Sequence, residues 1–161
     1  MRNEILSLLE RNAKLAAEEI AVYLGVSEAD VRNAISQMEK EQIICGYGAF
    51  INWSRTNEAL LTALIEVKVT PSRGKGFNGI AERIYRFAEV KAVYLMSGGF
   101  DLAVIIEGKT LNDIAMFVSD TLAPLESVLS TATHFVLKKY KDHGVIFDDP
   151  DDDTGRMVIS P

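Results

Sequence analysis

Apolar residues recur along this chain in two rhythms, and the change between them falls near Gly46. Before it they return every three or four positions, which predicts helices. In Asn3–Arg11, Ile5, Leu8 and Leu9 share one helix face. Ala16–Leu24 repeats the pattern with Ala17, Ile20, Ala21 and Leu24, and Gly25 supplies the stop. Ser27 then stands as an N-cap with Asp30 three residues on, opening a third helix, Glu28–Glu41. That helix buries Val31, Ala34, Ile35 and Met38 at i, i+3, i+4 and i+7. Two short helices joined by a Gly-containing turn have the helix-turn-helix shape, whose second helix can enter a DNA major groove.

After Gly46 alternation takes over. Tyr47–Trp53 reads as a short strand and Ser54–Glu58 as a polar turn. Leu60–Thr70 is a strand with Ala63, Ile65, Val67 and Val69 on one face. Pro71 and the glycines up to Gly79 make a loop, and Ile80–Phe87 is a helix with Ile80, Ile84 and Phe87 inward. Val90–Met96 and Leu102–Glu107 form a hairpin. Thr110 caps a helix, Leu111–Leu122, with Ile114, Phe117, Val118 and Leu122 at helical spacing. Ser127–Tyr140 closes as a strand of inward Thr/Phe/Leu alternation. The predicted fold class is α+β: a winged-helix-like helix-turn-helix followed by a ferredoxin-like βαββαβ domain. Residues 1–46 form the first domain, 47–59 a linker, 60–141 the second domain and 142–161 an acidic tail.

Candidate chemistry lies in two places. On the outer face of the third helix, Ala29, Arg32, Asn33, Ser36, Gln37 and Lys40 fall in one line. Arg bonds guanine bidentately and Asn or Gln bonds adenine, while Ser and Lys suit phosphates. With Ser27 and Glu28 at the start of the helix, these residues are the candidate DNA-contacting set. A solvated polar face is the plain alternative, and Glu28, Asp30, Glu39 and Glu41 on the same helix work against phosphate contact. The second place is Ser97-Gly98-Gly99-Phe100-Asp101 at the hairpin tip, where glycines leave backbone N–H groups unshielded beside one fixed negative charge. Such a loop can hold a small zwitterion; the alternative is an ordinary turn that needs glycine for φ > 0.

Six pieces in order carry a family resemblance over residues 1–141. They are Gly25-Val26-Ser27-Glu28, Val31-Arg32, Ile43-Ile44-Cys45-Gly46-Tyr47, Ala63-Leu64-Ile65-Glu66-Val67-Lys68-Val69, the Ser97–Asp101 loop, and Thr133-His134-Phe135-Val136-Leu137-Lys138. Together they resemble regulators of the Lrp/AsnC (feast/famine) family, which join a helix-turn-helix to a ligand-sensing RAM domain. The resemblance implies double-stranded DNA and an amino acid or related metabolite as partners. It also implies a homodimer that assembles further, to a tetramer or octamer, with ligand held where dimers meet. By it Ser97, Gly98, Gly99, Phe100 and Asp101 line the ligand site: Gly98 and Gly99 offer N–H groups to a carboxylate and Asp101 meets an ammonium. Thr131 and Thr133, on one face of the last strand, are placed nearby. The family is commonly rich in Arg and Lys after Val31-Arg32, whereas this chain reads Asn33-Ala34-Ile35-Ser36-Gln37. The alternative on this scaffold is a ligand-binding or enzymatic protein that no longer binds DNA, since sirohaem decarboxylases resemble the same architecture.

Charge and composition narrow the picture further. Net charge is −6, divided as −3 over residues 1–50 (five Lys/Arg against eight Asp/Glu), +2 over 51–141 (eleven against nine) and −5 over 142–161 (one against six). An acidic chain binds DNA weakly as a lone subunit. The two histidines, His134 and His143, have no Cys/His partners at metal-ligand spacing, so neither catalysis, a metal nor a cofactor is expected. His134 in an alternating strand is read as a hydrogen-bonded core or interface residue. Gly74-Lys75-Gly76 lacks a preceding GxxxxGK pattern and reads as a flexible loop. Asp148, Asp149, Asp151, Asp152 and Asp153 around Pro150 lack EF-hand spacing and read as a solvated run, with Met157-Val158-Ile159 able to pair as an edge strand. Cys45, the one cysteine, is read as a small buried residue. With no signal peptide behind Met1-Arg2-Asn3-Glu4 and no apolar stretch of membrane-spanning length, a cytoplasmic location without membrane contact is expected.

Overall fold

The computed structural model describes residues 1–58, 60–71, 74 and 76–147. The aspartate run of 148–153, Met157-Val158-Ile159 and Lys75 lie outside the described residues. The chain divides into one unit of Met1–Ile51 and a second that begins at Asn52.

The first unit is three helices: α1 (Arg2–Arg11), α2 (Ala17–Leu24) and α3 (Glu28–Lys40). Its core is Ile5, Ile20, Ala21, Val31, Ala34 and Met38, with Ile35, Leu8 and Leu9 packed against it. Gly25 ends α2 in the left-handed region at φ 65°, and its N–H donates to the Ala21 carbonyl. Ser27 caps α3 by accepting the Asp30 N–H at 3.1 Å while its hydroxyl donates to Asp30 Oδ2 at 2.6 Å. A cap of this kind stabilises a helix by about 1 kcal/mol.

Beyond α3 the structure departs from the sequence reading. Tyr47–Trp53 is not a strand: it joins neither sheet of the described residues, and a strand exists through its ladder. Trp53–Arg55 forms a single 3₁₀ turn instead, with Asn52 Oδ1 accepting the Ser54 N–H. Cys45 is exposed rather than buried, its thiol 3.2 Å from the Gln42 carbonyl, because it lies past the end of α3 and outside the helical core.

The second unit is a four-stranded antiparallel sheet with helices on one face. Its elements are β1 (Leu61–Val69), α4 (Asn78–Tyr85), β2 (Val90–Leu95), β3 (Leu102–Gly108), α5 (Leu111–Met116) and β4 (Val128–Phe135), with strand order β2-β3-β1-β4. Ala63, Ile65, Val67 and Val69 of β1 meet Leu102, Val104 and Ile106 of β3 under Ile80, Ile84, Ile114, Phe117 and Leu122. Phe87 and Phe117 pack edge to face, their ring centroids 5.6 Å apart. The core is wholly apolar among the described residues.

Two elements end differently from their patterns. Helix α5 gives way to a π turn over Phe117–Leu122. The wider turn brings Phe117 and Leu122, five positions apart, into the same core, which a regular α-helix would not do as well. The last strand stops at Phe135 rather than Tyr140: its ladder to β1 ends at the Ala63–Phe135 pair, and past it among the described residues only the Val136 N–H still reaches the Thr62 carbonyl. Leu137 is 96% exposed and does not face inward. Farther on, Lys141–Asp142 (β5) and Val145–Ile146 (β6) pair as a small hairpin whose turn holds His143 and Gly144. Its end is tied down where the Asn52 side-chain amide donates to the Phe147 carbonyl.

Candidate functional site

Residues Ala29, Arg32, Asn33, Gln37 and Lys40 of α3 are exposed and Ser36 is half-buried, all on the face opposite Val31, Ala34 and Met38. The packing of three core residues against α1 and α2 therefore aims this row outward. At the helical spacing, Glu28 and Glu39 flank the row on one side, and Asp30 and Glu41 on the other. Arg32 is already engaged: its Nε donates to Glu28 Oε1 at 2.6 Å, and Nη2 lies 2.5 Å from the same oxygen. Glu39 is held by the Tyr47 hydroxyl, which donates to Glu39 Oε1 at 2.9 Å. Burial, then the bond to Glu39 and its charge, push the Tyr47 phenol above its ordinary value, so it stays a donor. The Tyr47 contact was missed in the sequence because nothing local announces it. The Glu28–Arg32 pair had a signal, an acid and a base at i and i+4.

At the hairpin tip the turn is closed by the Met96 N–H to the Asp101 carbonyl at 2.8 Å. Asp101 then clasps β1 twice. Its N–H donates to the Val67 carbonyl at 3.1 Å, and its Oδ2 accepts the Val69 N–H at 2.9 Å. The half-buried carboxylate is thus a structural tie as well as a charge, which the sequence reading did not foresee. Its Oδ1 takes no partner among the described residues. Ser97, Gly98 and Gly99 are exposed and Phe100 is half-buried. Thr131 and Thr133 pair with Val67 and Ile65 and share one sheet face. They flank β1 on the side away from Asp101, two strand spacings or about 10 Å across. Thr131 is level with the clasp, and Thr133 lies one pleat farther along.

A Cβ on either Gly98 or Gly99 meets nothing within 4 Å, but Gly98 sits at φ 133°, where a side chain is strained, and Gly99 does not have a positive φ. Gly98→Ala should therefore cost about 1 kcal/mol or slightly more, about 5 °C in a thermal melt. Gly99→Ala should melt like the parent. Equal melting of the two variants would contradict this turn geometry.

Neither histidine belongs to the hairpin tip. His134 is on the open sheet face, exposed, with Nε2 3.2 Å from Glu66 Oε1, so it is not a core residue. His143 lies in the β5–β6 turn beside Asp142. Among the described residues no three His, Cys, Asp or Glu side chains gather as a metal site, and no helix is long and apolar enough to cross a membrane.

Comparison with known proteins places this geometry. Residues 62–146, from β1 through the β5–β6 hairpin, match the family model described as the Lrp/AsnC ligand binding domain. The HTH-type transcriptional regulator YugG of Bacillus subtilis is 50% identical over 159 residues, 98% of this chain and 95% of that protein. LrpA of Pyrococcus abyssi, also an HTH-type transcriptional regulator, is 28% identical over 85% of this chain and 94% of its own. The fold matches that of the transcriptional regulator NMB0573 of Neisseria meningitidis, solved as a complex with L-Met, with a TM-score of 0.71 at 24% identity over 88% of this chain and 90% of that one. With half of its residues shared with YugG along almost its full length, and its sheet unit matched by the ligand-binding-domain model, the chain belongs to the Lrp/AsnC family of transcriptional regulators.

Proposed function

We propose that this regulator is a cytoplasmic homo-oligomer that reads double-stranded DNA through α3 and senses an amino acid or related small metabolite at the Ser97–Asp101 hairpin. The observation that carries the DNA reading is the row Ala29, Arg32, Asn33, Ser36, Gln37 and Lys40, aimed away from the core on a helix with a side-chain cap at Ser27. These residues hold donors and acceptors for base edges but only two cations. Even if both were counted as phosphate contacts in each of two heads, this row would contribute a log–log salt slope no steeper than about −4, shallow for a DNA-binding dimer. Recognition then rests more on base contacts than on phosphate attraction, and pairing of several heads raises the effective concentration of each.

For the ligand, Gly98 and Gly99 offer N–H groups to a carboxylate, and Asp101 Oδ1 remains for an ammonium, with Thr131 and Thr133 as further polar contacts. The L-Met bound by NMB0573 is in keeping with such a ligand. Homodimer formation has a surface to use: the helix-free sheet face carries Leu64, Ala92, Tyr94, Ala103 and Ile105 by strand register. Ligand binding that favours one assembly alters the spacing of the heads and so the occupancy of the operator.

The test is a mobility-shift titration of the full chain on DNA upstream of its own gene, at fixed salt, with and without each amino acid. A sequence-specific shift that one amino acid changes is the expected result. A chain that forms no specific complex under any ligand condition would remove the DNA reading and leave a ligand-binding assembly.

A further inference from the structure

The pairing of Glu28 with Arg32 has a geometry that bears on which base is read. The guanidinium is a planar fork with five N–H donors, arranged as a side edge (Nε and Nη2) and an end edge (Nη1 and Nη2). Glu28 Oε1 takes the side edge, with Nε at 2.6 Å and Nη2 at 2.5 Å. The end edge has no partner among the described residues, and its two parallel donors match the O6 and N7 acceptors of guanine in the major groove. Both side chains project from the first turns of α3, at the end of the helix that Ser27 caps.

We propose that Glu28 is a positioning residue: it holds the Arg32 fork so that the end edge meets a guanine. This rests on the DNA reading above and adds a base preference to it. An exposed arginine otherwise samples many rotamers, and ordering them counts against binding. Holding the fork in the free protein removes part of that cost for the correct base pair alone, since another base offers the end edge no matched pair of acceptors. The carboxylate also repels phosphates, which lowers binding to every duplex alike. The two effects act together, and both sharpen the choice of sequence over the strength of binding.

The opposing account is that Glu28 is only a source of repulsion, and selection from a randomised duplex pool separates the two. The full chain and its Glu28→Ala, Glu28→Gln and Arg32→Ala variants would be used at one salt concentration, with helicity checked by circular dichroism. The parent should enrich a G·C pair at one position of each half-site, and Arg32→Ala should lose that position while others persist. Glu28→Ala should bind non-specific duplex more tightly, yet its preference at that one position should fall by about two- to fivefold, the range an exposed i,i+4 pair supplies. Glu28→Gln, which keeps an acceptor, should lie between. A Glu28→Ala variant that binds all duplexes more tightly with the preference intact would overturn the positioning role and leave repulsion alone. If the parent enriches no sequence at all, the failure belongs to the DNA reading itself, and the positioning role falls with it.

Discussion

Replacing Asp101 with alanine should loosen the second unit and, on the proposed ligand site, abolish amino-acid binding, and the asparagine variant should separate the two. In Asp101→Ala the Val69 N–H loses its acceptor at a half-buried point of the sheet. An unmade bond there costs about 2 kcal/mol, roughly 10 °C in a melt. Asp101→Asn keeps an oxygen able to accept from Val69, so most of that stability should remain. It removes the charge, however, and a hydrogen bond to a charged group contributes about 1.5–3 kcal/mol. Amino-acid binding measured by calorimetry should therefore weaken by about ten- to a hundredfold in Asp101→Asn. If asparagine destabilises as much as alanine, the clasp depends on more than one acceptor atom. If Asp101→Asn binds the amino acid like the parent, the carboxylate does not meet the ammonium.

Ile65→Ala should be the most damaging single truncation in the sheet. Ile65 is 0% exposed in the central strand β1, level with Val104 on one side and Thr133 on the other. Truncation of a fully enclosed isoleucine costs about 3 kcal/mol once the unfilled cavity is included, roughly 15 °C in the melting of a unit this size. Leu137→Ala is the control, since a side chain 96% exposed has no packing to lose. Similar melting of these two variants would contradict the assignment of β1 to the core.

Both variants test features that differ in how far the sequence revealed them. Ile65 was legible because every second residue from Ala63 to Val69 is apolar and each one is buried. Val31, Ala34 and Met38 were legible for the corresponding helical reason. Alternation overran the last strand, however, because Leu137 continues the period-two pattern of Thr133 and Phe135 after the ladder to β1 has ended at Phe135. Tyr47–Trp53 failed for the same cause: composition can favour an extended chain, but a ladder needs a second segment. The π turn was hidden because Ile114, Phe117 and Val118 fit an ordinary helix equally well.

At the candidate site the row on α3 followed from helical spacing, yet its electrostatic state did not. Whether Arg32 meets solvent or Glu28 depends on rotamers, and whether Glu39 is free depends on Tyr47, eight residues away. The Asp101 clasp was out of reach because its partners Val67 and Val69 stand more than thirty residues earlier in the chain. Long-range backbone pairing is the kind of contact that local pattern cannot supply.

The strand order has a consequence for how the protein is made. The helical core closes with residues no later than Ile44, all of them near neighbours in sequence. Strand β1 comes first in the sheet yet lies between β3 and β4, so its Val67 waits for Thr131 before that side is covered. Contacts between distant segments form slowly, whereas local helical ones form fast. On the ribosome, synthesis runs at about 5–20 residues per second, so the helical head has seconds to fold before β4 is even translated. The apolar strand β1 spends that interval without its last neighbour.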